Sequence, residues 1–594
     1  MKNIIKVLIS FLVIATISCT DDILNKEPLD LISDAAVWDD PILIDAYLAY
    51  CYDKVGFIND IKYVENVNPE GWVVNGSRSS FSLTTQTTIS DECSAGWEWI
   101  ESGLSYQLKK DNSSFHDYWA YPLVRKLNFF LEQISNTPLE EDYKNARIAE
   151  ARFLRAFVYF NMVKRYGGVP LITKAQPLDA PDEELFRERD KEEEIYDFIL
   201  TEIDGFIGNL EDIKFNNGRP TRYAALALKS RAAMYAASIA QNGEVKLDGI
   251  VGIPSGRAQE YWNKSYEASS TIINSGTFQL YNQYPGDKVT NYRNIFLDQN
   301  NEEVIFSEIY NGNPGKGHSW DLLNRPFGFH TWGQGGQCAL YLEMAEAYDY
   351  IDGSPGIIDR QKIENGYLWT MDELYGNKDP RFHASVFTNG SPWENDTVWN
   401  YKGIITSEGT VIENSYEGIP GWGKSASWRG NATPFTVRKY VDPEVNPSWM
   451  NESKTDWIVF RYAEILLNFA EAAYELGKLG EALDAINQIR IRAGIATLGS
   501  ISREQIRHER RVELAFEAHR YWDVRRWRTA VEDLSVPNSS LRYILDYETR
   551  KFKLRILPNH LGSVPPPFLE RHYYMPISVG RISNNPNLVE NPGY

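Results

Sequence analysis

The sequence predicts a mainly α-helical protein, in which tetratricopeptide-like helical hairpins form a scaffold that carries a large loop-rich insertion. Long stretches of the 594-residue chain place apolar residues at the spacing of a helix face. The stretch 461–494 also alternates small and large residues as tetratricopeptide helix pairs do. Between residues 287 and 447 the helical spacing is weak, and Gly, Asn, Ser, Pro and Trp are frequent.

The first 30 residues have the pattern of a targeting segment and a tether. Lys2 and Lys6 precede an apolar run at 7–17, which is shorter than the roughly 20 residues that span a bilayer and fits a secretory signal. Small residues lead directly into Cys19, which resembles a bacterial lipobox cysteine. We therefore predict a signal peptide at 1–18 and a tether at 19–30 that is lipidated on Cys19. A soluble secreted protein with an incidental cysteine is the alternative.

Helices are predicted to follow the tether in sequence. In the stretch 143–166 the residues Ala149, Phe153 and Phe157 lie on one apolar stripe, and Gly167–Gly168 ends it. The other stretches with helical spacing before the insertion are 46–55, 117–135, 192–210, 219–240 and 261–276. The chain is therefore divided into an N-terminal helical scaffold (31–286), a loop-rich ligand-binding insertion (287–447) and a C-terminal hairpin with a closing segment (448–594).

The clearest predicted hairpin is the stretch 461–494. Ala470, Gly477 and Ala482 fall where two tetratricopeptide helices approach closely, and Leu466 and Ile486 fall where they interlock. Three or more such hairpins stacked together would form the scaffold.

Charge, cysteine spacing and the absence of sequence motifs exclude several classes of function. The formal net charge of −20, with no basic run, disfavours nucleic acid as a partner. The four cysteines lack the spacing of a zinc site, and no HExxH, GxSxG or P-loop motif is present. We therefore predict no metal, no cofactor and no enzymatic activity, although a pair of carboxylates for glycoside hydrolysis cannot be recognised from sequence.

The stretch 503–527 is predicted to be one helix that is dense in Arg, Glu and His. Glu513, Glu517, His519 and Asp523 could form a catalytic constellation. We favour the other interpretation, in which these residues form a lattice of ion pairs that holds a partly buried helix.

Six stretches resemble the RagB/SusD family in their order along the chain. The stretches are 149–172, 221–238, 379–382, 461–477, 506–527 and 573–594. The resemblance implies a SusD-like α-α superhelix and a non-catalytic lipoprotein at the cell surface of the outer membrane. It also implies that the protein binds oligosaccharide or polysaccharide and passes it to a SusC-like TonB-dependent transporter. Asp21 and Asp22 resemble the acidic export tag of such lipoproteins. A surface glycoside hydrolase and a peptide-binding relative are the alternatives.

Aromatic residues in loop-like sequence are the expected ligand contacts. Sugar rings present C–H faces that stack on Trp, while their hydroxyl groups need polar partners. No family motif transfers binding residues one by one, so the choice depends on Gly-, Ser- and Asn-rich surroundings in the first third and the middle. Core packing is the alternative role for each tryptophan, and Trp422 and Trp428 could equally face the transporter. The predicted contacts are Trp72, Trp97, Trp99, Trp320, Arg325, His330 and Trp332.

Overall fold

The N-terminal part of the protein is a stack of helices, as its apolar spacing predicts. The computed structural model describes residues 34–57, 85–95, 117–177, 179–310, 317–326, 329, 335–413, 433–559 and 567–594. The elements before residue 287 are α1 (Asp34–Asp39), α2 (Pro41–Val55), α3 (Thr85–Thr88), β1 (Cys93–Ala95), α4 (Tyr121–Ile134), α5 (Glu141–Tyr166), α6 (Asp182–Leu185), α7 (Glu192–Phe206), α8 (Arg222–Asn242) and α9 (Ala258–Ser275).

The middle of the chain contains short helices and short strands. They are α10 (Lys288–Asn294), β2 (Val304–Glu308), α11 (Trp320–Asn324), β3 (Cys338–Leu340), α12 (Leu342–Ala347), α13 (Arg360–Glu364), β4 (Leu368–Trp369), α14 (Met371–Tyr375), α15 (Pro380–Ser385), β5 (Val386–Phe387), β6 (Ser391–Trp393), β7 (Asp396–Val398), β8 (Gly403–Ile405), β9 (Val411–Glu413) and β10 (Thr436–Val437).

The C-terminal part returns to long helices and then adds a β-hairpin. Its elements are β11 (Trp457–Arg461), α16 (Tyr462–Glu475), α17 (Leu479–Ala493), α18 (Arg503–Glu513), α19 (Arg520–Arg526), α20 (Ala530–Asp533), β12 (Ser540–Asp546), β13 (Phe552–Leu557) and α21 (Val579–Asn584). No helix of the described residues is both long enough and apolar enough to cross a bilayer.

Local sequence explains where the long helices begin and end. The hydroxyl of Thr221 accepts a hydrogen bond from the backbone N–H of Ala224 and so caps the start of α8. Helix α5 ends at Gly167, whose φ of 76° favours glycine. A Cβ atom on Gly168 would lie 1.9 Å from the carbonyl oxygen of Asp190, so only glycine fits at this position.

The long helices form a stack of antiparallel neighbours. Helix α5 packs on α4 and α7, α7 packs on α8, and α8 packs on α9. The predicted hairpin at 461–494 is formed by α16 and α17, and α16 packs on α9. Ala470 and Ala482 are buried between helices as expected, whereas Gly477 lies in the turn with a φ of 77° and no neighbour within 4 Å of an added Cβ. Gly477 therefore permits the turn and does not mediate a close approach.

Two apolar cores lie side by side. The first core fills the helical stack, and it includes a cluster of edge-to-face rings around Phe57, Phe157 and Phe306. The second core fills the region of short elements and includes Trp320, Phe382 and Tyr543.

Two small sheets organise the second core. The strand order is β1-β3-β10-β5 in the first sheet and β4-β13-β12-β8-β9 in the second. Strand β1 comes from before residue 287, and β12 and β13 come from after residue 447. The second core therefore draws on all three predicted parts of the chain, and the boundaries at 286 and 447 stay predictions.

The prediction of one continuous helix at 503–527 is wrong. Helix α18 ends at Glu513 and α19 begins at Arg520. Between them Phe516 and Ala518 have φ values of 64° and 66°, in the left-handed region that a continuing helix cannot contain. The break turns Phe516 into the second core, where it is 1% exposed.

Candidate ligand-binding site

Most of the predicted contact residues lie outside the described part of the chain. This applies to the expected ligand contacts and to the lipidation site alike. The residues concerned are Cys19, Trp72, Trp97, Trp99, His330 and Trp332, together with Trp422 and Trp428. The structure does describe the residues on both sides of the internal segments that contain these tryptophans.

Trp320, which the sequence suggests as a stacking platform, is a core residue. Its side chain is 1% exposed, and its indole N–H donates to the backbone carbonyl of Lys439 at 2.8 Å. Its ring lies 5.4 Å from the ring of Trp457 and 6.3 Å from that of Tyr440. The expectation that Trp320 stacks on a ligand is therefore corrected, because its ring has no face at the surface.

Arg325 is also buried, with 1% of its side chain exposed. Its guanidinium donates to the backbone carbonyls of Phe329 and Val445 and to the carboxylate of Glu394. It also lies over the ring of Trp393, with 5.1 Å between the guanidinium carbon and the ring centroid. Because these groups bind its guanidinium inside the protein, the expectation that Arg325 contacts a ligand is corrected, and the side chain instead connects Phe329 to Val445 and Glu394.

Hydrogen bonds join the two ends of the segment 327–334. The backbone N–H of Gly336 donates to the carbonyl of Arg325 at 3.2 Å, and that of Gln337 donates to the carbonyl of Leu323 at 2.8 Å. The side-chain oxygen of Asn324 accepts a hydrogen bond from the N–H of Cys338 at 3.2 Å. The segment that carries His330 and Trp332 thus starts and ends at one fixed neck.

The register of β1 and β3 brings together the described ends of two segments whose sequences contain predicted tryptophan contacts. The strands are antiparallel, and Ala95 pairs with Cys338. The chain that leaves β1 after Ala95 and the chain that enters β3 before Cys338 therefore meet at the same edge. Trp97 and Trp99 follow Ala95 closely in sequence, and Trp332 precedes Cys338 closely.

The third tryptophan group connects to the opposite edge. Strand β10 is antiparallel to β3, and the backbone carbonyl of Phe435 accepts a hydrogen bond from the N–H of Leu340. The chain that precedes β10 and carries Trp422 and Trp428 therefore enters next to the end of β3. The described start of β10 therefore lies at the other end of β3 from Ala95.

Buried charge ties the start of β1 to the break between α18 and α19. Asp91 accepts hydrogen bonds from Arg520 at 2.7 and 2.8 Å and pairs with Arg511 at 2.9 Å. The carboxylate of Glu92 accepts a hydrogen bond from the backbone N–H of Phe516 at 3.1 Å. This N–H lies in the left-handed turn and has no partner within a helix, so Glu92 satisfies it. Although burial alone would raise the pKa of Asp91, Arg511 and Arg520 outweigh it and lower that pKa.

The acids of the stretch 503–527 form ion pairs inside the protein. Glu513 binds Arg381, Arg461 and Arg492, and Glu517 binds Arg461 and Lys439. Burial alone would raise the pKa of Glu513, but the three arginines outweigh it and hold that pKa well below its usual range.

The other two members of the suggested constellation are engaged as well. Asp523 accepts hydrogen bonds from Arg510 at 2.7 Å and from Arg526 at 2.9 Å. Burial, together with neighbouring Arg231 and Arg510, lowers the pKa of His519 far below its usual value. The ion-pair interpretation of this stretch therefore matches the structure, with the lattice spread over a broken helix.

Sequence reasoning missed the residues that position the site. Asp91 and Glu92 stand next to each other in a polar stretch, and no periodicity distinguishes them from a solvated turn. Their role depends on partners more than 400 residues later in the chain, which no local pattern can reveal. Among the described residues there is no group of three or more His, Cys, Asp and Glu side chains that could hold a metal ion.

Comparison with known proteins places this frame in a family. The sequence model of the SusD family matches residues 302–594, and a second model, described as starch-binding and associating with the outer membrane, matches residues 60–234. The chain is 24% identical over 455 residues to the SusD-like protein P38 of Formosa agariphila, covering 72% of this chain and 75% of the relative.

Two further relatives agree with those matches. The chain is 22% identical to the starch-binding protein SusD of Bacteroides thetaiotaomicron, covering 87% of this chain and 85% of the relative. The solved structure of a SusD-like protein from Bacteroides fragilis superposes with a TM-score of 0.72 at 25% identity, covering 96% of this chain and 100% of that one. Because the two sequence models together match most of the chain, this protein belongs to the SusD family.

Proposed function

We propose that this protein is a lipid-anchored glycan-binding protein of the outer-membrane surface. In this proposal it captures oligosaccharide or polysaccharide, catalyses no reaction, and passes the glycan to a SusC-like TonB-dependent transporter. The observation that supports the proposal is the register of β1 and β3, in which Ala95, close before Trp97 and Trp99 in sequence, pairs with Cys338, which follows Trp332 closely. Trp72, in the segment before α3, is proposed as a further contact.

The physical basis is that sugar binding needs flat rings on a rigid frame. A tryptophan ring covers the C–H face of a sugar, and a frame that is already ordered avoids an entropy cost on binding. Here the neck at Gly336 and the buried pair of Asp91 with Arg520 provide such a frame.

The relatives support the choice of ligand and location. One of them is named as a starch-binding protein, and one matching model is described as associating with the outer membrane. Lipid on Cys19 would provide the membrane anchor, since stable attachment takes two or more acyl chains or an equivalent second signal.

A surface glycoside hydrolase and a peptide-binding relative are the competing functions. A hydrolase needs two accessible carboxylates on either side of the scissile bond. Glu513 is fully buried and bound to arginine, so it could serve neither as acid nor as nucleophile without breaking the lattice. Nothing in the described frame favours peptide backbone over sugar, so the peptide alternative is left to experiment.

Binding to a panel of polysaccharides and peptides tests the proposal. We expect the purified protein to bind at least one glycan in native affinity electrophoresis and to release no reducing ends over time. Trp97→Ala and Trp332→Ala should each weaken that binding by roughly fivefold, because stacking on one ring contributes about 1 kcal/mol. Release of reducing ends, or affinity for peptides alone, would overturn the proposal.

Two matched variants separate the site from the core. Trp97→Phe and Trp332→Phe keep a ring and should retain most of the affinity, with unchanged thermal unfolding. If all four variants bind as tightly as the unaltered protein, the site does not lie at the β1–β3 edge.

Transfer to the transporter needs a separate measurement. An affinity-tagged copy, isolated in mild detergent from its own outer membrane, should retain a TonB-dependent transporter in stoichiometric amount. Recovery of the tagged protein alone would contradict the proposed partner.

A further inference from the structure

A second concave site lies where the start of α4 faces the segment 170–187 and helix α21. Its cavity has a volume of about 580 Å³. The apolar part of its lining includes Trp119, Tyr121 and Ile172. None of its lining residues belongs to the β1–β3 edge, so the cavity is a different place on the protein.

The basic residues of the lining have no acidic counterparts there. Arg125, Lys174, Arg187 and Arg581 line the cavity, and no Asp or Glu does. Arg581 is neutralised from behind by Asp117, which it contacts at 2.6 and 2.7 Å.

Two of the remaining cations are not neutralised by the protein itself. Within the described ranges Arg125 and Lys174 have no carboxylate within ion-pair distance, and both are exposed. Arg187 lies 3.8 Å from Asp190, at the long end of ion-pair distances. The protein has a net charge of −20, whereas the charged side chains that line this cavity are all basic. Such a lining favours an anionic ligand.

Two aromatic rings stand beside these cations. The rings of Trp119 and Tyr121 lie 5.1 Å apart and are tilted by 55°. Trp119 is half-buried, and its ring is fixed by an edge contact with Tyr166 at 5.2 Å and by the guanidinium of Arg581 at 4.8 Å. The hydroxyl of Tyr121 donates to the carbonyl of Pro170 at 2.6 Å, so this ring is fixed as well.

Side-chain amides complete the lining. Gln176, Asn584 and Asn585 reach the cavity. The amides of Gln176 and Asn585 donate to the backbone carbonyls of Glu184 and Arg187, and their oxygens can still accept from hydroxyl groups. Fixed rings, amides and uncompensated cations together match a ligand with apolar ring faces, hydroxyl groups and a carboxylate. A sugar ring of the uronic acid type carries all three, whereas an acidic peptide such as polyglutamate lacks the apolar ring face.

We propose that this cavity binds an acidic sugar unit, through ring contact with Trp119 and Tyr121 and charge contact with Arg125 and Lys174. The inference rests on the proposed glycan-binding function and extends it by a second site that selects for carboxylate. A polysaccharide with uronic acid units would then contact the protein at two places on one chain, and its apparent affinity would rise accordingly.

The test compares an acidic oligosaccharide with its neutral ester. Trigalacturonate and its methyl ester have the same rings and differ in charge, and each is titrated into the full-length protein in detergent by calorimetry. We expect the acid to bind about fivefold more tightly than the ester at low salt, because the two exposed charge contacts together contribute about 1 kcal/mol. The preference should shrink in 0.5 M NaCl, because salt screens exposed charges.

The double variant Arg125→Ala/Lys174→Ala should lose the preference for the acid and keep the weak binding of the ester. Arg222→Ala removes an exposed cation that is paired with Asp212 elsewhere on the surface, and it should change neither titration. An equal affinity for acid and ester, or an unaltered preference in the double variant, would overturn the inference. Binding of a tetraglutamate peptide as tight as that of the acid would also overturn it.

The cavity and the proposed primary site can be tested independently of each other. Trp97→Ala and Trp332→Ala test the β1–β3 edge and should leave the acid preference at the cavity unchanged. If those variants alone have no effect, the proposed primary site fails while the cavity stands. If the double variant alone has no effect, the cavity fails while the primary site stands.

Discussion

The indole of Trp320 packs against Tyr440 and Trp457 and donates its N–H to the carbonyl of Lys439. Both its apolar surface and its polar atom are therefore used inside the protein. A large aromatic side chain with a satisfied polar group is among the most strongly stabilising residues of a core.

Trp320→Ala should therefore lower stability and not ligand affinity. Removing the ring leaves a cavity that the second core cannot fully close, so the free energy of unfolding should fall by about 3–5 kcal/mol. Urea unfolding followed by far-UV circular dichroism measures this. Trp449→Ala is the matched control, since Trp449 is 39% exposed, and it should cost much less. Similar losses for the two variants would contradict the burial of Trp320.

Glu92 couples stability to pH near neutrality. Burial raises the pKa of its carboxyl from 4.5 to about 7. Between these two values the folded protein binds more protons than the unfolded chain, so the free energy of unfolding falls as the pH rises. Asp91 does not contribute in this window, because its pKa is lowered and its effect appears only in acid.

Glu92→Gln should remove that part of the pH dependence. The amide keeps an acceptor for the N–H of Phe516 and cannot ionise, so the variant should gain stability relative to the unaltered protein on going from pH 5 to pH 8, by up to about 3 kcal/mol. Urea unfolding at the two pH values measures the difference. Burial also raises the pKa of Asp321 to about 7, but that residue is present in both proteins and cancels in the comparison. Parallel pH profiles would refute the role of Glu92.

At the scale of elements, the lattice around Glu513 joins the two cores. Arg461 ends β11 and Arg492 lies near the end of α17, both next to the helical stack, whereas Arg381 lies in α15 of the second core. Each binds the carboxylate of Glu513, and Arg461 and Arg492 also share Glu303. Glu513 can bind all three arginines only while these elements are docked.

Glu513→Gln should consequently be strongly destabilising. Removing the charge of Glu513 breaks one buried ion pair of each of three arginines and leaves them only their remaining carboxylates, and breaking a buried pair typically costs about 3–5 kcal/mol. Chemical denaturation with probes in both cores should show this loss. The control Asp212→Asn breaks an exposed pair with Arg222 and should be indistinguishable from the unaltered protein. An equally small effect of Glu513→Gln would mean that the lattice does not hold the cores together.

At the scale of the whole molecule, the closing segment seals the helical stack. The backbone N–H of Met575 donates to the carbonyl of Arg165 at 2.8 Å, and the side chain of Asn591 donates to the carbonyl of Tyr166 at 3.0 Å. Arg189 donates to the carbonyl of Val589 at 2.7 Å. These bonds connect the last residues of the chain to the end of α5 and to Arg189, which precedes α7.

Membrane attachment is a property of the N-terminus alone in our proposal. In cells that lack the proposed transporter, Cys19→Ala should release the protein from the membrane fraction, while its glycan affinity stays unchanged because the proposed glycan contacts lie elsewhere in the sequence. Fractionation with immunoblotting measures the first effect, and mass spectrometry of the mature N-terminus identifies the lipid. An unmodified Cys19 in the mature protein would remove the anchor.

The sequence by itself determined the helical part of the fold. Apolar spacing, the glycine stop after Tyr166 and the small-residue pattern of 461–494 are local signals, and α5, α16 and α17 lie where those signals predict. Local signals fail at 503–527, because the left-handed residues Phe516 and Ala518 are stabilised by partners from elsewhere in the chain.

Tertiary structure alone decided which tryptophans are core and which chain segments meet. Trp320 looks as loop-like in sequence as Trp332 does, and only the packing of Tyr440 and Trp457 identifies it as buried. The meeting of β1 with β3 joins residues that are more than 200 positions apart, and the pair of Asp91 with Arg520 joins residues 429 positions apart. Contacts of this kind require long loops to close. The entropy cost of closing them, and the contacts that offset it, depend on the whole fold and cannot be read from local composition.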